Sequence, residues 1–136
     1  DDAGLQDVRV SGERVFIGIR SNYWWRSDDE EEVDPRSQLK TLVIQDDRLR
    51  PASEARMNSP WTRLYRVSGE KAIALSSEPP SLFVYDTSNG GELELIQRTL
   101  LSGYGYDLII EDDEAISANS SAGVQVVPLR QPINPL

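Results

Sequence analysis

The sequence of 136 residues contains no cysteine and no histidine. Without cysteine, the chain forms no disulfide and has no thiolate nucleophile. Without histidine, it lacks the commonest general base and the commonest ligand for transition metals. No recognisable catalytic motif stands in their place. We therefore expect a protein that is not an enzyme and that needs no cofactor.

Basic residues are also scarce, because 14 Lys and Arg stand against 23 Asp and Glu and give a formal net charge of -9. Nucleic-acid binding needs a concentrated cationic surface, so this balance argues against a nucleic-acid partner and against an anionic membrane surface. No apolar run approaches the roughly 18 residues of a membrane-spanning helix. We expect no membrane insertion.

Short apolar segments bounded by turn residues recur along the chain, and helical periodicity is almost absent. The octapeptide VSGERVFI at 10–17 matches VSGEKAIA at 67–74, and IEDDEAIS at 110–117 is a looser third copy. A further apolar strand follows each copy, at 42–46, 82–86 and 124–128. The middle copy adds a fourth strand at 93–99. Four short antiparallel strands per repeat form the unit of a propeller blade.

The sequence therefore predicts an all-β protein of about three consecutive four-stranded antiparallel blades, with approximate repeats at 5–60, 61–102 and 103–136. A closed propeller typically has about 4 to 8 blades, and three would leave two sheet edges open. Three interpretations follow. The chain is a piece of a larger cleaved polypeptide, or it completes a ring with another chain, or it is an open stack of sheets that is not a propeller.

The repeat unit resembles the LVIVD repeats of β-propellers, which take their name from the third strand. Here that strand reads LVIQD at 42–46 and departs from the motif at one position, and the Ser-Gly turns at 11–12 and 68–69 are also similar. The resemblance implies a propeller and an exported or surface protein, located outside the cell, on its surface or in the periplasm. It implies no catalytic residues.

The first repeat contains an insertion. From Gly12 to Leu42 is 42 − 12 = 30 residues, whereas Gly69 to Leu82 is 82 − 69 = 13. The comparison predicts about 17 extra residues between the second and third strands, within 20–40. Insertions of this kind map to functional loops, because loops carry binding residues on a rigid scaffold.

The insertion holds the most unusual stretch of the sequence, Tyr23, Trp24, Trp25 and Arg26. Aromatic residues beside an arginine are typical of interface hot spots, so we predict that these four residues contact a partner. Two alternatives remain open. Tyr23 and Trp25 fold back over the blade as a local core, or an indole stacks against a sugar ring.

An acidic run follows at 28–32, and Asp28, Asp29 and Glu30 are weak candidates for binding calcium through carboxylate oxygens. The run lacks the alternating ligands and the central glycine of an EF-hand. A solvated run of charge is the favoured interpretation.

Two further motifs lie in the third repeat. The tyrosines of GYGY at 103–106 are candidates for lining a central pore, and the glycines there allow close backbone approach. Asn119-Ser120-Ser121 matches the acceptor pattern for N-glycosylation, which matters only in a eukaryotic secretory pathway.

These features predict a non-enzymatic protein-binding or scaffold module of an exported or surface assembly. Its partner is a protein, either another chain or the rest of a cleaved polypeptide. The alternative is a glycan-binding or carbohydrate-active propeller that uses calcium. It would stack sugars on the same tryptophans and hold the cation with Asp28, Asp29 or Glu30.

Overall fold

A computed structural model of the chain describes residues 3–21, 37–57, 63–77, 79–105, 107–111 and 113–130. Within these ranges the protein is all-β, and its only helical element is a single 3-10 turn at Ser120–Ala122. No helix among these residues is long and apolar enough to cross a membrane. The predicted all-β class is confirmed.

The strands form three antiparallel sheets in chain order. Sheet 1 consists of β1 (Ala3–Ser11), β2 (Arg14–Ser21), β3 (Gln38–Gln45) and β4 (Arg48–Arg56). Sheet 2 consists of β5 (Arg63–Ser68), β6 (Lys71–Ser77), β7 (Pro80–Asp86) and β8 (Glu94–Leu100). Sheet 3 consists of β9 (Asp107–Glu111), β10 (Glu114–Ala118) and β11 (Val124–Pro128). Each strand pairs with the next strand of its own sheet.

The same hairpin opens every sheet. Ser11 pairs with Arg14, Ser68 pairs with Lys71, and Glu111 pairs with Glu114, in each case across a two-residue turn. The first turn residue in sheets 1 and 2 is a glycine with φ of +57° and +58°, a conformation that glycine adopts without steric cost. The repeat read from the sequence is therefore a structural repeat in this hairpin.

The pairing of the third strands corrects one sequence alignment. Arg14 pairs with Val43, and the equivalent Lys71 pairs with Asp86. Leu42 therefore corresponds to Tyr85, and the sequence match of Leu42 to Leu82 is wrong by three positions. With this register, the insertion in the first repeat is about 14 residues, because 42 − 12 = 30 compares with 85 − 69 = 16.

The sequence pattern does not locate the fourth strand of sheet 1, because its sequence RLRPASEAR is polar and contains Pro51. A proline is tolerated there because β4 is an edge strand. The turn before it, Asp46-Asp47, has φ of +53° and +58°, which matches the two positive φ angles of a type I′ hairpin. The ladder between β3 and β4 shifts register after Thr41, and the ladder between β7 and β8 shifts after Val84, at the equivalent position.

Sheet 2 lies between the other two sheets and is buried on both faces. Phe83 and Tyr85 belong to a core with Phe16 and Leu39 of sheet 1. The alternate residues of β7, Leu82 and Val84, instead belong to a core with sheet 3. The buried sheet 2 residues Ile73 and Leu75 lie on the same side, and the buried sheet 3 residues of this core are Leu108, Ala115 and Val127. Successive residues of β7 face sheet 1 and sheet 3 in turn. Because both sides are apolar, most of the strand is a continuous hydrophobic run.

The stack is open at both ends. The sheets contain four, four and three strands, and they do not close into a ring within the described residues. Sheet 3 ends at β11 in the part of the chain that is described.

Phe16 is fully buried at the contact between sheets 1 and 2. We predict that Phe16→Ala lowers the free energy of unfolding by about 3–5 kcal/mol, because it removes a large side chain from a core that cannot fully collapse. Urea denaturation measures the change. Val10→Ala is the matched control, since Val10 is exposed and its truncation should alter stability by less than about 0.5 kcal/mol. Equal losses in the two variants would contradict the described packing.

Candidate functional site

The predicted contact residues Tyr23, Trp24, Trp25 and Arg26 lie outside the described residues. The weak calcium candidates Asp28, Asp29 and Glu30 lie outside them as well. Among the residues that are described, no group of three or more acidic side chains is placed to hold a metal ion. The insertion leaves sheet 1 at the end of β2 and returns at β3, two strands that pair directly, with Ile19 opposite Gln38.

Each sheet has two faces with distinct roles. We call the face that contacts the next sheet in chain order the leading face, and the opposite face the trailing face. In sheet 3, the leading face is the one whose residues are equivalent to the leading-face residues of sheets 1 and 2. Phe16 in sheet 1 and Ile73 in sheet 2 are equivalent leading-face residues, and both are buried. Their equivalent in sheet 3 is Ile116, which pairs with Ile109 and Val126.

The junction between sheets 1 and 2 has a polar part near the outer strands. Thr41 donates a hydrogen bond to the carbonyl oxygen of Gly91 at 2.5 Å, and the amide of Leu93 donates to Ser53 Oγ at 3.1 Å. A Cβ at Gly91 would lie 2.8 Å from Val43 and 2.9 Å from a second side chain of sheet 1. The turn before β8 thus packs directly against the leading face of sheet 1.

The junction between sheets 2 and 3 uses the equivalent position of the outer strand. Gln97 pairs with Val84 as Ser53 pairs with Thr41, so Gln97 and Ser53 correspond. The Gln97 amide nitrogen donates to the carbonyl oxygen of Pro128 at 2.8 Å, and its oxygen accepts from the amide of Arg130 at 2.9 Å. In both junctions, a polar side chain of the outer strand binds the backbone at or after the end of the third strand of the next sheet.

The leading face of sheet 3 has exposed apolar side chains that no other sheet covers among the described residues. Ile109, Val124 and Val126 are 55%, 72% and 51% exposed. In sheet 2, the equivalents of the two valines are Leu82 and Val84, and they are 0% and 1% exposed. Large exposed apolar patches mark interaction surfaces. Sheet 3 therefore has apolar residues at the positions that sheet 2 buries against its neighbour, but no sheet among the described residues packs against them.

Among the described residues, the trailing face of sheet 1 is the second face without a neighbouring sheet. Val10 is 63% exposed, whereas its equivalent Val67 in sheet 2 is only 6% exposed because it packs against sheet 1. Val8 and Leu49 are also exposed. The described chain thus ends in a leading face on one side and a trailing face on the other.

A cleft of about 470 Å³ lies between β1 and β5 and concentrates several of the few basic residues. It is lined by Asp7, Arg9, Arg63, Leu64, Tyr65, Arg66 and Val67. The guanidinium carbons of Arg63 and Arg66 lie 5.1 and 5.8 Å from the centre of the Tyr65 ring, within range of a cation–π interaction. Arg9 lies 4.0 Å from Asp7. One of the three arginines is therefore paired with a carboxylate of the cleft itself.

Tyr65 links sheets 2 and 3 beside this cleft. Its hydroxyl donates to the Asp107 carboxylate and accepts from the amide of Leu108 at 3.0 Å. The hydrogen bond from Tyr65 lowers the pKa of Asp107, and the Leu108 amide and the two arginines act in the same direction. Burial and the bond to Asp107 raise the pKa of Tyr65.

We predict that Tyr65→Phe raises the pKa of Asp107, because it removes the main group that stabilises the carboxylate. A lowered pKa stabilises the fold above the carboxyl's unfolded-state value, and this contribution is lost as pH falls through the folded value. The variant should melt below the wild type at about pH 7, and the difference should shrink in acid as Asp107 is protonated.

The measurements are an NMR titration of the Asp107 carboxyl carbon and melting curves at several pH values. Tyr85→Phe is the control, since the Tyr85 hydroxyl contacts the Met57 sulfur at 3.4 Å and makes no bond to Asp107. An unchanged Asp107 titration in the Tyr65 variant would contradict the assignment.

The candidate glycosylation acceptor Asn119 is fully buried. Its amide nitrogen donates to Ser102 Oγ at 3.1 Å and to Gln125 Oε1 at 2.8 Å, and its oxygen accepts from Ser117. A side chain with these partners is inaccessible to a glycosyltransferase in the folded protein. Asn119 is a structural residue that ties the connection before β11 to the segment after β8.

The tyrosine motif is also partly structural. A Cβ at Gly103 would lie 3.0 Å from the Asn119 carbonyl oxygen, and one at Gly105 would lie 3.2 Å from Leu75. Both glycines therefore allow close packing. Tyr104 is 37% exposed, and Tyr106 lies outside the described residues.

No protein-family model matches the chain, and a search of curated proteins finds no significant match.

The uncovered faces were not identified from the sequence. The exposed Val124 and Val126 have the same residue types as a buried strand, so composition does not separate them. The signal that could have found them is the repeat itself. Once Ile116 is aligned with Phe16 and Ile73, the third sheet has a leading face with apolar residues and no following sheet among the described residues.

Proposed function

We propose that this chain is a non-enzymatic scaffold module that contributes three consecutive blades to a β-propeller. A partner protein, either another chain or the rest of a longer polypeptide, supplies the remaining sheets. The observation that carries the proposal is the uncovered leading face of sheet 3, where Ile109, Val124 and Val126 are at least half exposed.

The internal junctions support this function. Sheets 1 and 2 each bury their leading face against a sheet with the same hairpin and strand order. Because Val124 and Val126 stand where sheet 2 has its buried leading-face residues, the partner that suits sheet 3 best is another sheet of this kind. Hydrophobic burial of such a face is worth about 25 cal/mol per Å² of apolar surface removed from water.

The insertion provides a second contact surface in this proposal. Tyr23, Trp24, Trp25 and Arg26 extend the interface beyond the sheet faces, since large aromatic side chains and arginine dominate the energetics of interfaces. The resemblance to LVIVD repeats supports both the propeller architecture and a role in an exported or surface assembly.

The docking role of sheet 3 is tested by photo-crosslinking. We expect a photoreactive amino acid at Val126 to crosslink the native protein to a second polypeptide, or to a segment outside residues 1–136 of the same polypeptide. The same probe at Glu94 is the control, because that residue is exposed on the outer strand of sheet 2 and away from both uncovered faces. Mass spectrometry identifies the crosslinked peptides.

Light scattering of the native species gives the independent readout. A mass above 15.3 kDa with crosslinks from position 126 supports the proposal. A native monomer of 15.3 kDa that gives no crosslink from position 126 would rule it out.

The contact role of the insertion is tested separately. We predict that Trp24→Ala with Trp25→Ala weakens binding of the crosslinked partner by tenfold or more, since a hot-spot residue contributes about 2 kcal/mol or more. An unchanged melting temperature in the double variant separates this effect from misfolding. Wild-type affinity, or a large loss of stability, would assign the two tryptophans to a local core instead.

A further inference from the structure

The corner of each leading face carries a charge, next to the hairpin turn that opens the sheet. In sheets 1 and 2 the corner residues are Arg14 and Lys71, each paired with a serine across the turn. The guanidinium nitrogen Nη2 of Arg14 lies 4.0 Å from Oε1 of Glu70, which belongs to the hairpin turn of the next sheet. At the junction between sheets 1 and 2, the basic corner therefore faces the acidic turn of the sheet that covers it.

The hairpin turns share one sign of charge. Glu13, Glu70 and Asp113 occupy the same position of the turn in sheets 1, 2 and 3. The same order of residue types, a basic corner residue and then an acidic turn residue in the next sheet, recurs with Lys71 and Asp113, although Asp86 also pairs with Lys71 between β6 and β7. This pattern favours stacking of successive sheets in one order, because opposite charges across a contact fix its register.

Sheet 3 reverses the sign at its corner. Glu114 stands where Arg14 and Lys71 stand in the other sheets, and its cross-strand partner is Glu111 instead of a serine. Both side chains are exposed. Like charges directly opposite each other destabilise a sheet, so this pair is unfavourable unless a cation lies beside it.

We propose that Glu111 and Glu114 select the partner that covers sheet 3, which must be a β-sheet whose hairpin turn carries lysine or arginine. This inference rests on the proposed docking function of the leading face. The apolar residues Ile109, Ile116 and Val126 supply the contact, and the two carboxylates decide which sheet is accepted.

The same charges exclude a second copy of this chain. The uncovered trailing face available on another copy belongs to sheet 1, whose turn carries the exposed Glu13. Docking of that face on sheet 3 would bring Glu13 towards Glu111 and Glu114. Like charges brought together across an interface disfavour the wrong partner. The acidic corner therefore prevents this chain from stacking on itself.

The test exchanges the charges. The variant Glu111→Ser with Glu114→Lys gives sheet 3 the same corner as the other sheets, and we expect it to self-associate. Glu13→Lys alone supplies the basic turn that the wild-type corner requires, and we expect it to self-associate as well. Combining all three substitutions places like charges together again and should restore the monomer.

Sedimentation velocity over a range of concentrations measures the association. The Glu111→Ser and Glu114→Lys variant and the Glu13→Lys variant should each self-associate about tenfold or more tightly than the wild type. High salt should weaken this self-association. Adding Ile116→Lys to the Glu111→Ser and Glu114→Lys variant is the control. It should abolish association, because the complex would form through the leading face. Melting curves establish that each variant is folded.

Two outcomes would overturn the inference. One is a folded Glu111→Ser and Glu114→Lys variant that stays at 15.3 kDa at every concentration, and the other is a wild type that stacks on itself as tightly as the exchanged variants. Neither outcome affects crosslinking from position 126 in the native protein. A failure of charge selection is therefore distinguishable from a failure of the docking function.

Discussion

Burial of both faces of sheet 2 is the interaction on which the rest of the structure depends. Its strands alternate Phe83 and Tyr85 towards sheet 1 with Leu82 and Val84 towards sheet 3. A single small sheet has too little core to be stable alone, so neighbours on both sides supply the missing apolar contacts. Among the described residues, sheets 1 and 3 each have one such neighbour, and this leaves two uncovered faces.

Polar contacts then fix how one sheet lies on the next. Hydrophobic burial is not directional, so it does not set the register of two stacked sheets. Ser53 and Gln97 provide direction, because each binds backbone groups of the following sheet at one equivalent position of the outer strand. The bond from Tyr65 to Asp107 adds a tie between the first strands of sheets 2 and 3. Apolar burial supplies the stability of the stack, and these bonds supply its geometry.

The hairpins could be predicted from the sequence, whereas the third and fourth strands could be predicted only in part. A Ser-Gly turn between apolar residues has few alternatives, because glycine permits the positive φ that the turn needs. The third strand of sheet 1 was found but aligned three positions away, since its run of similar apolar residues fits more than one register. The polar β4 gave no periodic signal. The proposed docking face required the register, because only the pairing shows that Ile116 stands where Phe16 and Ile73 are buried.

The sequence by itself determined the all-β class, the hairpin that opens each repeat and the acidic balance, because these follow from local turn chemistry, residue type and composition. Only the tertiary structure decided which apolar residues are covered. Val84 and Val126 are equivalent residues of the same type, yet Val84 is buried by sheet 3 and Val126 faces solvent. Burial depends on what lies against a face, and that neighbour is specified by the stacking of whole sheets and not by the strand's own residues.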